Sequence, residues 1–362
     1  MDFKEQYQKT FSQVTASELT RRRIETMANG KFQKKQTRRA GRIAGKILLA
    51  AVLVSLLAVT ASAATSGGLF QRFFEKNAQK PLSENEIAYI EENEQPSVAV
   101  PQPTQTPPES GCRVSVRSAI TDGKTAYITV GVTAPEGVVL DDAAFLNVEE
   151  PLLFPDTTEG LEIAPDGSSP DALCDYEAME DGDGLPNTHN IVFKVNPFLK
   201  DSSIHPFDGH VQWTMSLKGL SKTKFIPDGT GKGTFEDYPL SEDQWEFLLS
   251  FQPIDVKTVE FLPEPKTMMA SKWLQEEYNT EVTLKSMALS GLHFDVVIEP
   301  KEGVYDKNDP LDIGDVDVVM KDGSSQKFLR ICSCSYSLDV PIVLEDVDYL
   351  LLSDGTKLYN PS

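Results

Sequence analysis

The sequence predicts a mainly β chain: a short α-helical head, one transmembrane helix, then one or two antiparallel β-sandwiches. Three observations predict this. Alternating runs rich in β-branched residues, separated by turn residues, recur from residue 113 to the end. An uncharged apolar run of nineteen residues occupies 47–65. Charge also divides across that run. Residues 1–46 hold 12 Lys or Arg against 4 Asp or Glu, net +8, whereas the other 316 hold 22 against 51, net −29. Such asymmetry points to a membrane or an interaction tail rather than one uniform globule.

In the head, Phe3, Tyr7, Phe11 and Val14 recur at helical spacing and make one apolar face. Thr15-Ala16-Ser17-Glu18 has the form of a capping box that opens a second helix through Leu19, Ile24 and Met27. Asn29-Gly30 is its stop signal. Two such helices bury too little apolar area to be stable alone, so this face is expected to dock on a cytoplasmic protein. The bland alternative is a frayed basic tail that only sets topology. No Cys or His precedes residue 112, which excludes a zinc-dependent head. Nucleic-acid binding is not expected, because the basic run abuts the apolar segment without interleaved aromatics.

As a helix, nineteen residues at about 1.5 Å each nearly cross a hydrocarbon core about 30 Å thick. Lys34, Lys35, Arg38, Arg39, Arg42 and Lys46 precede the run, and only Arg72 and Lys76 follow it closely. That bias places the N-terminus in the cytoplasm and the acidic bulk outside the cell membrane. The same cluster is suited to anionic membrane lipid. A cleaved secretory signal competes with the anchor, since Ala61-Ser62-Ala63 matches the small-residue cleavage pattern. Either way the acidic region is exported.

Residues 66–110 are expected to form a juxtamembrane helix and a stalk. Leu69, Phe70, Phe73 and Phe74 suggest an interfacial helix, and Ser83-Glu84-Asn85-Glu86 is a second capping box. The proline-rich stretch from residue 95 to 110 reads as a solvated, semi-extended spacer.

Beyond it, runs 113–120 and 125–134 flank Thr121-Asp122-Gly123-Lys124, the strongest short-range hairpin signal in the chain. Further strands are expected at 190–195, 211–217, 247–252, 282–289, 293–298, 316–320, 326–332 and 349–352. Residues 151–187, rich in Asp, Gly and Pro, read as an acidic loop or insertion, and 268–278 as one helix with Trp273 on its apolar side. A short internal echo relates the Asp122-Gly123 region to that around Gly291. These signals divide the exterior into a first sandwich at 111–252 and a second at 253–362.

With these features in view, the chain resembles a membrane-anchored family of Gram-positive bacteria, domain-of-unknown-function family 4179. The resemblance is carried by Ala16-Ser17-Glu18-Leu19, the basic stretch into the apolar run, the turn Thr121-Asp122-Gly123-Lys124-Thr125, and Val347-Asp348-Tyr349-Leu350-Leu351-Leu352-Ser353-Asp354-Gly355-Thr356 near the end. It implies immunoglobulin-like exterior sandwiches and a likeness to anti-sigma factors, with a cytoplasmic sigma factor as the partner and an unknown exterior ligand. The acidic stretch 151–187 departs from that pattern.

The sequence offers no enzyme signature and calls for no cofactor. His205 and His210 stand five apart around Pro206, wrong for two ligands on one helical face, and the four histidines read as surface or turn residues. Asp181-Gly182-Asp183-Gly184 begins like a calcium loop, but Leu185 and Pro186 occupy positions that need a ligand and a glycine. Gly229-Thr230-Gly231-Lys232-Gly233-Thr234 lacks the Ser or Thr that must follow the lysine of a phosphate loop, and reads as a hairpin tip. Trp213, Trp245 and Trp273 read as core. Cys112, Cys174, Cys332 and Cys334 allow three pairings, and buried free thiols are the expectation.

Overall fold

The computed structural model describes residues 68–96, 99–101, 110–141, 143, 145–155, 173–179, 185–196, 205–227, 233–262, 264–272, 280–300, 311–328 and 334–361. The head, residues 1–46, expected to be helical, and the apolar run 47–65 lie outside them. No helix among the described residues is long and apolar enough to cross a membrane. The fold there is mainly β: two helices lead into short and long strands, whose pairings are antiparallel throughout.

The helices come first. Helix α1 spans Leu69–Ala78, and α2 spans Glu84–Asn93. Ser83 caps α2 as the sequence suggests: its Oγ accepts the Glu86 amide at 3.2 Å, while the Glu86 carboxylate accepts the Ser83 amide at 2.6 Å. Strands β1 (Glu94–Pro96) and β2 (Ala99–Pro101) follow directly.

The first core lies between two sheets. One runs β1, β3 (Arg113–Thr121), β4 (Ala126–Thr133), β7 (Thr188–Asn196), β6 (Leu173–Met179). The other runs β2, β9 (Gly233–Leu249), β8 (Trp213–Pro227), β5 (Phe145–Pro155). Alternate residues of β4 and β7, among them Ile128, Val130, Ile191 and Phe193, point inward to meet Trp213, Met215, Leu217 and Phe247. Trp213 and Trp245 are core residues, and Cys112 is a buried free thiol.

A second core lies further along the chain. Its larger sheet runs β14 (Leu311–Asp312), β11 (Lys266–Lys272), β12 (Thr280–Leu289), β13 (His293–Pro300), β17 (Cys334–Ser337), with β10 (Val259–Glu260) beside β12. The smaller one runs β16 (Ser325–Phe328), β15 (Val316–Met320), β18 (Val347–Leu352), β19 (Lys357–Tyr359). Met287, Phe294, Val316, Val318 and Leu350 are buried where the two meet.

Four expectations need correction. Residues 66–110 are not simply an interfacial helix and a solvated spacer. The apolar face of α1 packs on protein, β1 pairs with β3, and β2 pairs with β9. The physical reason is that the outer face of this sheet carries Ile120, Tyr127, Met179 and Val192, and that patch needs a cover. Residues 151–187 are not one loop either. Strands β5 and β6 enter them, and the prolines at 151 and 155 are tolerated because β5 is a sheet edge. The stretch 268–278 begins as strand β11, where buried Met268 and Ala270 flank exposed Met269 with a period of two; Trp273 lies outside the described residues. Finally, β8 and β9 extend well past 211–217 and 247–252, because cross-strand pairing continues through buried Leu220, Lys222 and Thr223 to ends at 225–227 and 234–239 that are exposed.

Candidate functional site: a buried polar seam

Two tight turns meet between the cores. The β3–β4 connection is the four residues Asp122-Gly123-Lys124-Thr125, closed by pairing of Thr121 with Ala126. Gly123 sits at φ +92°, a conformation that disfavours a side chain. The β12–β13 turn is Ser290-Gly291-Leu292 together with His293, the first residue of β13, and it is closed by Leu289 opposite Phe294. Both have glycine second, and in both that glycine's carbonyl accepts a later amide: Phe207 to Gly123 at 2.9 Å, and Ile342 to Gly291 at 2.8 Å.

The turns bond to one another position for position. Asp122, first in its turn, accepts the hydroxyl of Ser290, first in the other, at 2.5 Å. Thr125, fourth, shares a 2.9 Å hydrogen bond with Nδ1 of His293, also fourth. Asp122 is the hub. Its Oδ1 accepts the amides of Lys124 and Thr125 at 3.1 and 2.9 Å, and its Oδ2 accepts the Leu292 amide at 2.8 Å as well as Ser290. Lys124 reaches Oδ2 of Asp295 on β13, and Oδ1 of the same carboxylate is held by His293 Nε2 at 2.9 Å. The side chains of Lys124, His293 and Asp295 are between 1% and 4% exposed.

The helices roof this seam. Leu69, Phe70, Phe73 and Phe74 of α1 pack with Ile120, Tyr127 and Val192 of the first sheet and with Leu292 of the second turn. The Phe74 ring meets Tyr127 edge-on at 5.1 Å, and the Tyr127 hydroxyl donates to the Leu338 carbonyl. Tyr89 on α2 lies against Gly291 so closely that an added Cβ would stand 2.0 Å from its hydroxyl oxygen. Burial lifts the Tyr89 phenol well above its ordinary range, and the charges of Asp122 and Glu92 add to that. His205, against Gly123, is pushed down by burial and then by Lys124.

Two clefts flank the seam. One of about 600 Å³ lies between α2 and residues 253–257, with Asp122, Tyr89 and Gly291 on its wall. The other, about 580 Å³, lies beside α1 under Phe73, Tyr176 and Lys194, where Lys194 pairs with Asp339 at 2.6 Å and Lys76 pairs with Glu177.

Thr125, His293 and Asp295 stand in the order nucleophile, base, orienting acid. That geometry cannot serve an outside substrate, because Thr125 is fully buried and His293 and Asp295 nearly so. What the arrangement does is satisfy buried polar groups mutually and fix how the two turns meet.

The residues singled out from the sequence lie elsewhere. Phe3, Tyr7, Phe11, Val14, Leu19, Ile24 and Met27, and the basic Lys34, Lys35, Arg38, Arg39, Arg42 and Lys46, all fall outside the described residues. So do 181–184 and 228–232, although pairing of Pro227 with Gly233 closes a hairpin around the latter. Two histidines depart from the surface reading: His189 and His293 are buried, on strands covered from both sides. Among the described residues no group of His, Cys, Asp or Glu could hold a metal ion. Sequence reasoning missed Asp122, Lys124, Ser290, His293 and Asp295 as one cluster. The signal available was the echo between the two glycine turns.

No protein-family model matches the chain, and no curated protein does. Among solved structures it is similar to a conserved domain protein from Bacillus anthracis, at 14% identity and a TM-score of 0.37, over 72% of this chain and 76% of that one. So distant a likeness fixes neither fold family nor activity.

Proposed function

We propose that the chain is a single-pass membrane regulator of the anti-sigma-factor type, with exterior immunoglobulin-like sandwiches that respond to a ligand and a cytoplasmic head that holds a sigma factor. The observation that carries this is the charge split, +8 against −29, across the one uncharged apolar run. The roof adds a route for the signal. Only three residues separate residue 65 from Leu69, so α1, buried over the seam, continues directly from the apolar run. Movement of the exterior cores reaches the bilayer through that helix. The reading needs no enzyme activity and no cofactor, and its partners are membrane lipid, a cytoplasmic protein and an exterior ligand.

Residues 1–46, used as bait, are expected to retain a sigma factor from cytoplasmic extract. Replacing Phe3, Tyr7 and Phe11 together by Ala is expected to abolish that retention. Equal retention by the triple variant would sink the proposal. The motif Ala61-Ser62-Ala63 favours a second reading, an exported β-sandwich binding protein without a signalling role. Recovery of the chain from culture fluid, starting near Ala64, would establish it.

A further inference from the structure

Lys124 and Asp295 belong to different cores, 171 residues apart in sequence, and their side chains touch where water does not reach. Both are held from several sides. The Lys124 amide is tied to Asp122 at 3.1 Å, and Oδ1 of Asp295 is tied to His293 Nε2 at 2.9 Å. His293 is itself steadied through Nδ1 by Thr125. We propose that this contact is a modification site, at which the chain joins Nζ of Lys124 to Cγ of Asp295 in an amide and so cross-links its two cores.

The chemistry is set by burial and position. Nucleophilic attack needs the uncharged amine, so the first step passes a proton from Nζ of Lys124 to Oδ2 of Asp295, across a contact that water does not reach. The Nζ lone pair adds to Cγ and forms the C–N bond. His293, on Oδ1, gives its proton to that oxygen and recovers one from the attacking nitrogen. The Cγ–Oδ1 bond breaks, and Oδ1 takes the proton held on Oδ2 and leaves as water. One ammonium and one carboxylate become one amide and one water; net charge is unchanged, and no oxidant, reductant or energy donor is needed. Fixed contact replaces the collision that makes this reaction negligible between free side chains.

The test is mass spectrometry of the full chain, purified in detergent, denatured and digested with trypsin. The expected result is a branched peptide that joins Lys124 to Asp295, one water lighter than its two parts, with no cleavage after Lys124. The same map of Lys124→Arg, which keeps the cation but loses the nucleophile, and of Asp295→Ala is expected to contain only linear peptides. Recovery of the linear peptide ending at Lys124 from the wild-type chain would overturn the proposal. So would scission between Lys124 and Thr125, which would make Thr125 the nucleophile, or a loss of water that persists in Lys124→Arg. None of these outcomes depends on whether the head binds a sigma factor.

Discussion

Phe74→Ala probes whether the helices belong to the folded body. The Phe74 side chain is fully buried, edge-on to Tyr127 at 5.1 Å and to Phe73 at 5.3 Å, and stacked near Phe70 at 6.2 Å. Truncating a buried phenylalanine to alanine costs about 3–5 kcal/mol, part of which is the edge-on ring contact, worth roughly 0.5–1.5 kcal/mol. Alanine's better helix propensity returns only about 0.5 kcal/mol. A net loss of about 2.5–4.5 kcal/mol is therefore expected. Urea unfolding of the full chain in detergent, followed by tryptophan fluorescence from buried Trp213 and Trp245, reads the loss as a lower midpoint. Hydrogen exchange then locates it, with faster exchange expected in α1 and at the Tyr127 region of β4. A change below about 1 kcal/mol, with exchange in β4 unaltered, would refute the packing argument and return α1 to the role of a detached stalk helix.

Asp122→Ala strands the amides of Lys124, Thr125 and Leu292 and the Ser290 hydroxyl at once, and a loss of about 4 kcal/mol is expected in the same assay, with Asp122→Asn costing roughly half of that. Gly291→Ala forces the Tyr89 ring off its seat and is expected to cost about 2 kcal/mol, most of it absent when Tyr89→Ala is already present, which a double-mutant cycle measures. Burial raises the Glu94 carboxyl above its ordinary value, against a smaller lowering by its hydrogen bond with Ser118. A raised carboxyl favours the folded state while protonated, so its contribution is present below pH 4.5 and is lost as pH rises through the higher folded-state value. Glu94→Gln is therefore expected to raise the urea midpoint at pH 7 and to flatten its pH dependence just above pH 4.5, and an unchanged midpoint at pH 7 would contradict this.

Much of the β architecture is legible from local pattern. The turn at Asp122-Gly123, the capping box at Ser83, and the apolar faces of α1, β7, β12 and β15 all announce themselves within ten residues or so. What is illegible depends on partners distant in sequence. Strand β5 hides behind its prolines, because only its edge position makes them tolerable, and edge position is a property of the sheet. The far ends of β8 and β9, 225–227 and 234–239, are exposed on both faces, so no alternation reveals them. The seam is least legible. Lys124 and Asp295 each read as one charged residue among many in an acidic chain, and their burial follows from contact across 171 residues. The docking face Phe3, Tyr7, Phe11 and the basic cluster at 34–46 rest on the sequence alone.

The seam and its roof differ in how they can yield, and the difference decides which of them moves. A shift of the two turns by one position would leave Asp122, Lys124 and Asp295 buried without their partners, at a cost of several kcal/mol for each charge. No intermediate arrangement relieves that cost, and an amide at Lys124 would forbid the shift altogether. The contact of α1 has no such threshold. Leu69, Phe70, Phe73 and Phe74 are held by apolar burial, worth about 2 kcal/mol a side chain, and they can be lost one turn of helix at a time. Under the proposed membrane reading, tension applied at residue 68 is therefore expected to peel α1 from a platform that stays intact. Hydrogen exchange at equilibrium reads that order. Amides of α1 are expected to exchange through a smaller opening than those of Thr125 and Leu292. Exchange of both sets with one common free energy would mean that roof and seam open together, and a lever resting on a fixed platform would no longer describe this molecule.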